Sequence, residues 1–273
     1  MDVPTRRTSE SFGLLWSRTG DDTSRIGEHL GHTLTSLSID PPTGLILEAG
    51  CGDGSDTVAL AATPGARVIG VDLSDGGTRT AATRTRHLPN VQIVRADLRH
   101  LPFRAEQFEF VYSFGVVHHV APPEEAMAEI GRVSRKGAGA ALYLYEDFEE
   151  RPFALRWMLA AVNQGRHLTT RLPHRLLYGL CVLASPVVFL TLSVPSQLLR
   201  LVPATRELAD AIPYHFGRHP FHLTGDLYDR FATPVEHRYG RGSATRLANN
   251  SGFAVERIAR WHGWMLLLKR HLT

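Results

Sequence analysis

The chain has 273 residues, of which 43% are hydrophobic and 21% are charged. This composition is typical of a globular protein and excludes a disordered, collagenous or coiled-coil chain. The length suits one large domain, or one domain with a sizeable insertion. The net charge is +3, and no recognisable nucleic-acid module accompanies the arginines, so no nucleic-acid partner is expected. Cys51 and Cys181 cannot form a disulfide framework, and the first residues lack the apolar run of a signal peptide. A cytoplasmic location is therefore expected.

Short apolar segments alternate with helical patterns through the first half of the chain. The predicted strands are 45–49, 67–72, 91–97, 108–113 and 140–145. Helices are predicted at 55–62, between the second strand and residue 86, and at 124–134. This alternation indicates a parallel sheet with helices on both faces, and right-handed crossovers make the sheet doubly wound.

The alternation stops after residue 146 and resumes near residue 241. A helix at 243–250 and strands at 253–258 and 263–269 follow. The turn between these strands is so short that the last strand must run antiparallel. The predicted fold is therefore α/β: a doubly wound, Rossmann-like sheet of seven strands with an antiparallel last strand, and a mostly helical insertion, or lid, after the fifth strand. The predicted domains are an N-terminal helical cap (1–42), a core (43–146 and 240–273) and the insertion (147–239).

A glycine-rich loop and three acidic residues lie near the carboxyl ends of the first three predicted strands. The loop Gly50–Gly54 joins strand to helix, where glycine permits a tight turn and the close approach of a ligand. Asp72 ends the second strand at the spacing of a carboxylate that accepts hydrogen bonds from ribose hydroxyls. Glu48, just before the loop, disfavours a pyrophosphate and favours a cationic ligand. Asp97 ends the third strand, within predicted reach of an adenine amino group.

Four sequence motifs occur in order at the ends of these strands. They are LEAGCGDG at 47–54, GVDLS at 70–74, ADLRHLPF at 96–103 and FEFVYSFGVVHHV at 108–120. In this set the chain resembles the class I S-adenosylmethionine-dependent methyltransferases, over residues 42–145 and 241–273. The resemblance implies S-adenosylmethionine as cofactor and S-adenosylhomocysteine as product. It also implies a set of residues around the methionine, ribose and adenine parts of that cofactor: Glu48, Gly50, Cys51, Gly52, Gly54, Asp72, Leu73, Asp97, Leu98 and Ser113.

An aromatic segment near the start of the chain extends the resemblance. Phe12 and Trp16 are four residues apart, on one face of a predicted helix. They resemble the family's N-terminal segment, which closes over the cofactor, and plain core packing is the alternative for them. For the acidic residues and the loop together, the alternative is a Rossmann-like domain without a cofactor.

The candidates for acid–base chemistry are mainly histidines, because imidazole has a suitable pKa for a general base. His118 and His119 follow the fourth strand, near the expected position of the methyl group, and the alternative is that one of them fixes the loop. His237 and Tyr239 lie where the insertion rejoins the sheet, with a hinge hydrogen bond as the alternative. Glu146, at the end of the fifth strand, is a further candidate.

No metal site is predicted. Three histidines, at 215, 219 and 222, invite that interpretation because two of them are four residues apart. Pro213 and Pro220 interrupt a regular helix there, however, and no acid or cysteine completes a ligand set.

The predicted insertion carries a long uncharged segment within a basic region. Residues 176–199 contain no charge and are long enough to cross a bilayer, but Pro186 and Pro195 interrupt them and polar residues dilute them. The prediction is two buried helices broken near Pro186. Peripheral membrane contact is the second alternative, and a membrane-spanning helix is the third.

The predicted function is transfer of a methyl group to an oxygen or carbon atom of a lipophilic or amphiphilic small molecule, as in natural-product biosynthesis. The arginines of the insertion favour an anionic group on that molecule. One alternative is a methyltransferase-like fold that catalyses another reaction, such as a cyclisation, and another is a non-catalytic cofactor-binding subunit. No motif specifies the acceptor atom, the substrate or the oligomeric state.

Overall fold

The computed structural model describes residues 2–19, 23 and 25–272. Its strands are β1 (Gly44–Ala49), β2 (Ala66–Asp72), β3 (Val91–Arg95), β4 (Phe108–Phe114), β5 (Ser134–Tyr145), β6 (Phe253–Arg260) and β7 (Gly263–Arg270). They form one seven-stranded sheet in the order β3-β2-β1-β4-β5-β7-β6. The first five strands pair in parallel, while β7 runs antiparallel to both β5 and β6. The predicted doubly wound sheet with an antiparallel last strand is confirmed.

The described residues also form α-helices along the chain. Their bounds are α1 (Val3–Thr19), α2 (Glu28–Leu37), α3 (Ser55–Ala61), α4 (Asp75–Thr85), α5 (Pro123–Val133), α6 (Phe153–Thr169), α7 (His174–Val188), α8 (Val194–Arg200), α9 (Arg206–Ala211), α10 (Thr224–Ala232) and α11 (Arg241–Asn250). The observed bounds of α3, α5 and α11 lie within two residues of the predicted ones. The fifth strand begins six residues earlier than predicted, because Ser134 also pairs with Phe108 of β4, across an irregularity that precedes the continuous ladder from Gly139.

Both faces of the sheet are buried, as the alternation of strands and helices predicts. In β1, Leu47 belongs to one hydrophobic cluster and Ile46 to the cluster on the opposite face, because successive side chains of a strand point to opposite sides. Helix α5 adds Met127 and Ile130 to the first cluster. The rigid sheet holds the loops at its carboxyl edge, where ligands bind in doubly wound folds.

The chain divides into two compact units. The first consists of residues up to Ala161 together with those from Pro234 onwards, and the second is Val162–Thr233. The second unit is therefore narrower than the predicted insertion, since α6 begins in the first unit and ends in the second. The second unit also contains α7 to α10.

The prediction of two buried helices broken near Pro186 is wrong. Helix α7 contains Pro186, and it continues through a π-helical turn at Phe189–Ser193 directly into α8. Pro186 is accommodated inside α7, while the π-helical turn lies directly before Pro195, where a wider turn relieves the clash between a proline ring and the preceding turn. The resulting helix, His174–Arg200, is long and apolar enough to cross a membrane by length and composition, yet only 22% of its most apolar stretch is buried.

Candidate cofactor and catalytic site

The glycine loop follows β1 and turns toward the edge of the sheet. The backbone amides of Gly50 and Cys51 donate to the carbonyl oxygen of Val71, with N···O distances of 2.7 and 2.9 Å, which ties the loop to β2. Gly54 has a φ of +80°, and a Cβ atom there would stand 2.9 Å from the Cα of Ala81. Because glycine alone fits this turn without strain, α3 can begin immediately after it.

Asp72 is held at the end of β2 by its neighbours. Its carboxylate accepts hydrogen bonds from the Gly52 amide at 3.0 Å and from the Ser74 amide and hydroxyl at 2.7 and 2.6 Å. Burial raises the pKa of Asp72, although these hydrogen bonds oppose the shift. A carboxylate has about four acceptor positions, so this one retains capacity for a ligand hydroxyl.

Asp97 is paired with an arginine at the same edge of the sheet. Arg99 Nη2 lies 2.7 Å from Asp97 Oδ2, and its Nη1 donates to the Ala121 carbonyl oxygen at 2.6 Å. Burial by itself raises the pKa of Asp97, but the hydrogen bonds and positive charge of Arg99 outweigh it and leave that pKa below its ordinary value. Asp97 is therefore an ionised acceptor in a fixed orientation.

The glycine loop, Asp72 and Asp97 line the same cavity. The strand ends and the loops that follow them contribute twelve residues to its wall: Gly50, Gly52, Asp72, Leu73, Ser74, Asp97, Leu98, Phe114, Gly115, Val116, His119 and Val120. Helix α1 closes the remaining side with Thr5, Thr8, Ser9, Phe12 and Trp16. The cavity therefore combines glycine backbone, two carboxylates and aromatic rings.

Helix α1 contributes polar residues that the sequence analysis missed. Thr5, Thr8 and Ser9 lie on the same helix face as Phe12 and Trp16, which the helical spacing of these five positions signals. The rings of Phe12 and Trp16 stack at a centroid distance of 6.1 Å.

Four residues of the predicted cofactor set do not line this cavity. Glu48 is 3% exposed and accepts a hydrogen bond from the Thr57 hydroxyl. Burial, with the nearby charge of Asp56, raises its pKa well above the ordinary value. The Ser113 hydroxyl donates to the Ala49 carbonyl oxygen at 2.8 Å. The side chains of Glu48 and Ser113 are buried beneath the loop, and within the loop the Cys51 side chain is buried and Gly54 packs against Ala81.

The two adjacent histidines have different surroundings. His119 lies on the cavity wall, and its ring packs edge-on against Phe12 at 5.1 Å. His118 is fully buried and packs against Tyr145, with ring centroids 3.9 Å apart. The geometry therefore separates the predicted pair into one residue at the cavity and one in the core.

A backbone carbonyl fixes the tautomer of His119. Its Nδ1 lies 2.7 Å from the carbonyl oxygen of Val235. A carbonyl oxygen only accepts, so Nδ1 carries the proton in this contact and the neutral ring has its lone pair on Nε2. This arrangement is that of an oriented general base.

Two further candidates line a second cavity. His237 and Tyr239 share its wall with Glu124, Ser243 and the segment 121–123. Burial, with the charge of Glu124, raises the pKa of Tyr239 far above its ordinary value. A phenol with a raised pKa stays protonated near neutral pH and acts as a hydrogen-bond donor rather than a base. Neither residue lines the cavity that contains His119.

The surroundings of Glu146 do not suit a general base. Its carboxylate is 1% exposed and accepts two hydrogen bonds from Arg151, at 3.0 Å from Nε and 2.8 Å from Nη2. Arg260 approaches it at 3.2 Å. The two guanidinium groups occupy the oxygens that would have to accept a proton, so Glu146 links β5 to its neighbours instead.

The three histidines at 215, 219 and 222 do not form a ligand cluster. His215 Nδ1 lies 3.0 Å from the carbonyl oxygen of Ile212. Within the described residues, no group of three or more His, Cys, Asp or Glu side chains is arranged to hold a metal ion.

The sequence and the fold are similar to those of known proteins. Residues 47–142 match a family described as "Methyltransferase domain". A demethylmenaquinone methyltransferase of Clavibacter sepedonicus is 32% identical over 130 residues, which are 47% of this chain and 52% of that protein. An uncharacterised 37.1 kDa protein in transposon TN4556 of Streptomyces fradiae is 40% identical over 93 residues, which are 33% of this chain and 27% of that protein. The chain thus spans about half, or less, of the length of these curated relatives.

A solved structure aligns over almost the entire chain. It is the complex of the Haloferax volcanii Trm112 methyltransferase activator with a putative methyltransferase, at 14% identity and a TM-score of 0.58, covering 97% of this chain and 98% of that one. At this identity the likeness concerns the fold.

Proposed function

We propose, from the premise that this chain is built on a class I S-adenosylmethionine-dependent methyltransferase domain, that it transfers a methyl group to a lipophilic or amphiphilic small molecule. The observation that carries the proposal is one cavity with a glycine loop, two carboxylates and a histidine of fixed tautomer. The glycine loop and the acids suit the cofactor of this family, and the histidine suits an acceptor that must lose a proton.

Three parts of the cavity wall would each contact one part of S-adenosylmethionine. Asp72 would accept hydrogen bonds from the ribose hydroxyls, since its carboxylate is oriented by Gly52 and Ser74 and retains acceptor capacity. Asp97 and Leu98 would hold the adenine by a polar contact and an apolar one. Glycine at position 52 lets the Trp16 indole pack directly on the loop, because a Cβ atom there would stand 2.9 Å from the indole carbon Cε2.

The bound cofactor supplies a methyl group that is already activated by its sulfonium. What this chain must add is alignment of the acceptor, exclusion of water and removal of a proton. Phe12 and Trp16 would exclude water, because α1 lies over the cavity. His119 Nε2 would take the proton from the acceptor while Val235 holds the Nδ1 proton of the same ring.

A lipophilic acceptor is favoured by the composition of the second unit, in which a 24-residue segment from 176 to 199 is uncharged. An anionic group on the acceptor is favoured by the excess of arginines in the second unit, which has seven arginines and four acidic residues. Both inferences concern the class of substrate, and the acceptor atom is an oxygen or a carbon.

The test is a methyl-transfer assay with the full chain. The protein is incubated with S-adenosylmethionine and a panel of lipophilic phenols, hydroquinones and carboxylic acids, and mass spectrometry follows S-adenosylhomocysteine and a 14-Da gain on the acceptor. We expect both products in equal amounts with at least one acceptor. Binding of S-adenosylmethionine without turnover on any acceptor, or with turnover to an isomer of the acceptor, would contradict the proposal.

A further inference from the structure

The long helix of the second unit carries an apolar stripe on its exposed side. We call Leu176, Leu180, Leu183, Val187 and Leu190 the outer stripe. Each of these side chains is between 47% and 73% exposed. They follow one another at alternating steps of four and three residues, so they lie on one face of the helix. A helix of a water-soluble protein normally turns such a stripe inward.

The inward side of the same helix is apolar at its start, where Leu177 and Cys181 are buried, and polar from Ser185 onwards. Ser185, Ser193 and Ser196 are fully buried. Their hydroxyls donate to the backbone carbonyl oxygens of Pro220, Tyr214 and Ala209, at 2.7, 2.6 and 2.9 Å. From Ser185 onwards, buried hydroxyls inside and large apolar side chains outside reverse the usual distribution between core and surface. Such a reversal is favourable where the surroundings of the helix are apolar.

Basic residues flank the stripe. Arg171 and Arg175 are exposed directly before the stripe, no charge occurs between Arg175 and Arg200, and Arg200, which is paired with Asp210, ends the helix. The second unit contains seven arginines and four acidic residues in total. Anionic lipid headgroups attract exposed arginines, by about 1 kcal/mol for each one near the surface. The charge therefore complements an anionic membrane.

We propose that the outer stripe binds the surface of a bilayer that contains anionic phospholipid, with the helix lying in the plane of the membrane. The stripe would enter the boundary between headgroups and acyl chains, and the arginines would contact phosphates. The polar contacts of the inner face argue against a crossing helix. Crossing would carry the attached segment 206–220, with Arg206, Glu207, Asp210 and Arg218, into hydrocarbon. This inference does not depend on methyl transfer.

The first test is vesicle flotation with the full chain. Vesicles of phosphatidylcholine with phosphatidylglycerol are compared with vesicles of phosphatidylcholine alone. We expect binding to the first, weaker binding to the second, and a fraction that high salt does not release, because salt screens the arginines but leaves the apolar contact. In the variant Leu183→Glu/Leu190→Glu, the partition coefficient should fall about tenfold or more.

A matched variant controls for added charge. Val3→Glu/Leu272→Glu places the same two charges on exposed apolar positions of the first unit, where the wild-type side chains are 60% and 76% exposed. This variant should bind vesicles like the wild type, and circular dichroism should give the same helix content for both variants. Equal loss of binding in the two variants would overturn the assignment to the outer stripe.

A third measurement separates the bilayer from other occupants and other orientations. A fluorophore on Leu183→Cys should become shielded from an aqueous quencher when vesicles are added, while one on Leu272→Cys should not. Brominated lipids should quench the fluorophore at position 183 most strongly when the bromine lies near the headgroups. Strongest quenching from the bilayer centre would overturn the in-plane orientation. The wild type could instead form a dimer in light scattering and fail to bind vesicles. If Leu183→Glu/Leu190→Glu made that dimer dissociate, the outer stripe would be assigned to a second copy of this chain.

Discussion

The contact between His119 and the Val235 carbonyl decides what the histidine pair can do. It gives the ring at the cavity one defined tautomer, whereas the neighbouring ring of His118 lies in the core against Tyr145. The backbone carbonyl oxygen of His118 accepts a hydrogen bond from the His237 amide at 2.8 Å. We therefore expect replacements of the two histidines to have different consequences.

The first prediction concerns turnover. His119→Ala should lower kcat by about 100-fold to 10,000-fold, if proton transfer limits the rate, while the affinity for S-adenosylmethionine changes little. The wild-type rate should fall at acid pH, because a protonated imidazole has no lone pair to accept a proton. Steady-state kinetics against pH and calorimetry with the cofactor measure both quantities.

His118→Ala is the matched control for this prediction. It should lower the free energy of unfolding, because it removes a buried ring and leaves a cavity, and it should leave the shape of the pH profile unchanged. A loss of less than about threefold in kcat for His119→Ala would exclude it as the essential base.

The second prediction concerns cofactor affinity. Asp72→Ala should weaken binding of S-adenosylmethionine by about 30-fold to 150-fold, which corresponds to the 2 to 3 kcal/mol of charge-assisted hydrogen bonds. Asp75→Ala removes a nearby carboxylate that is paired with Arg79 and Arg95 and does not line the cavity. Calorimetry should give this control an affinity close to that of the wild type. Equal affinities of the two variants would remove Asp72 from the proposed site.

The third prediction concerns the pH dependence of stability. Burial raises the pKa of Glu48, so the folded chain binds that proton more tightly than the unfolded chain does. The free energy of unfolding should therefore decrease as pH rises from about 4.3, the ordinary pKa of glutamate, through the raised pKa. Glu48→Gln keeps a partner for the Thr57 hydroxyl and removes the titration. Urea unfolding at several pH values should show a flatter curve for this variant.

Glu129 provides the control of opposite sign. The hydrogen bonds of Arg132 hold its pKa below the ordinary value, so this carboxylate stabilises the fold above about pH 4.3, and the stabilisation is lost as pH falls through the lowered pKa. Glu129→Gln should be less stable than the wild type at neutral pH and approach it in acid. Parallel curves for Glu48→Gln and the wild type would show that Glu48 keeps an ordinary pKa.

At the scale of whole elements, the position of α1 depends on its packing against α4. Gly13 and Gly76 meet backbone to backbone, and a Cβ atom on Gly76 would stand 2.7 Å from the Gly13 carbonyl carbon. Because backbone atoms cannot yield as a flexible side chain can, any side chain at 76 must push the two helices apart. The wall that Phe12 and Trp16 contribute to the cavity would move with α1.

The fourth prediction follows from this contact. Gly76→Ala should lower the affinity for S-adenosylmethionine and make α1 more susceptible to limited proteolysis. Gly31→Ala is the matched control, since it lies in α2 and an added Cβ finds no heavy atom within 4 Å among the described residues. That control should raise the free energy of unfolding by about 0.5 to 1 kcal/mol. Unchanged cofactor affinity in Gly76→Ala would show that the spacing of α1 and α4 does not matter for binding.

The elements that the sequence predicts well are those with local determinants. The strands have apolar periodicity of their own, and the loop Gly50–Gly54 needs glycine for reasons within one turn. The burial of Glu48 has no local determinant, because it depends on which face of the pleated strand β1 is covered by α3. The prediction for 174–200 is wrong for a related reason. Apolar residues suit a protein core and a lipid surface equally, and Pro186 predicts a break although the helix continues through it.

At the scale of the whole molecule, stability should be uneven across the sheet. Strands β1, β4 and β5 are paired on both sides, whereas β3 and β6 form the edges. The fifth prediction is that native-state hydrogen exchange is slowest for amides of the inner strands, because they open only with the entire first unit. Mass spectrometry of exchanged peptides measures this order. Slower exchange in β3 than in β1 would contradict it.

The antiparallel strand β7 has a consequence for synthesis on the ribosome. It pairs with β5 along most of its length, yet residues 146–262 are translated between the two strands. At a translation rate of about 5 to 20 residues per second, β5 is synthesised roughly 6 to 23 seconds before β7. During this interval the nascent chain presents an unpaired, apolar strand edge of the kind that promotes aggregation. We therefore expect its yield to depend on chaperones that act during translation.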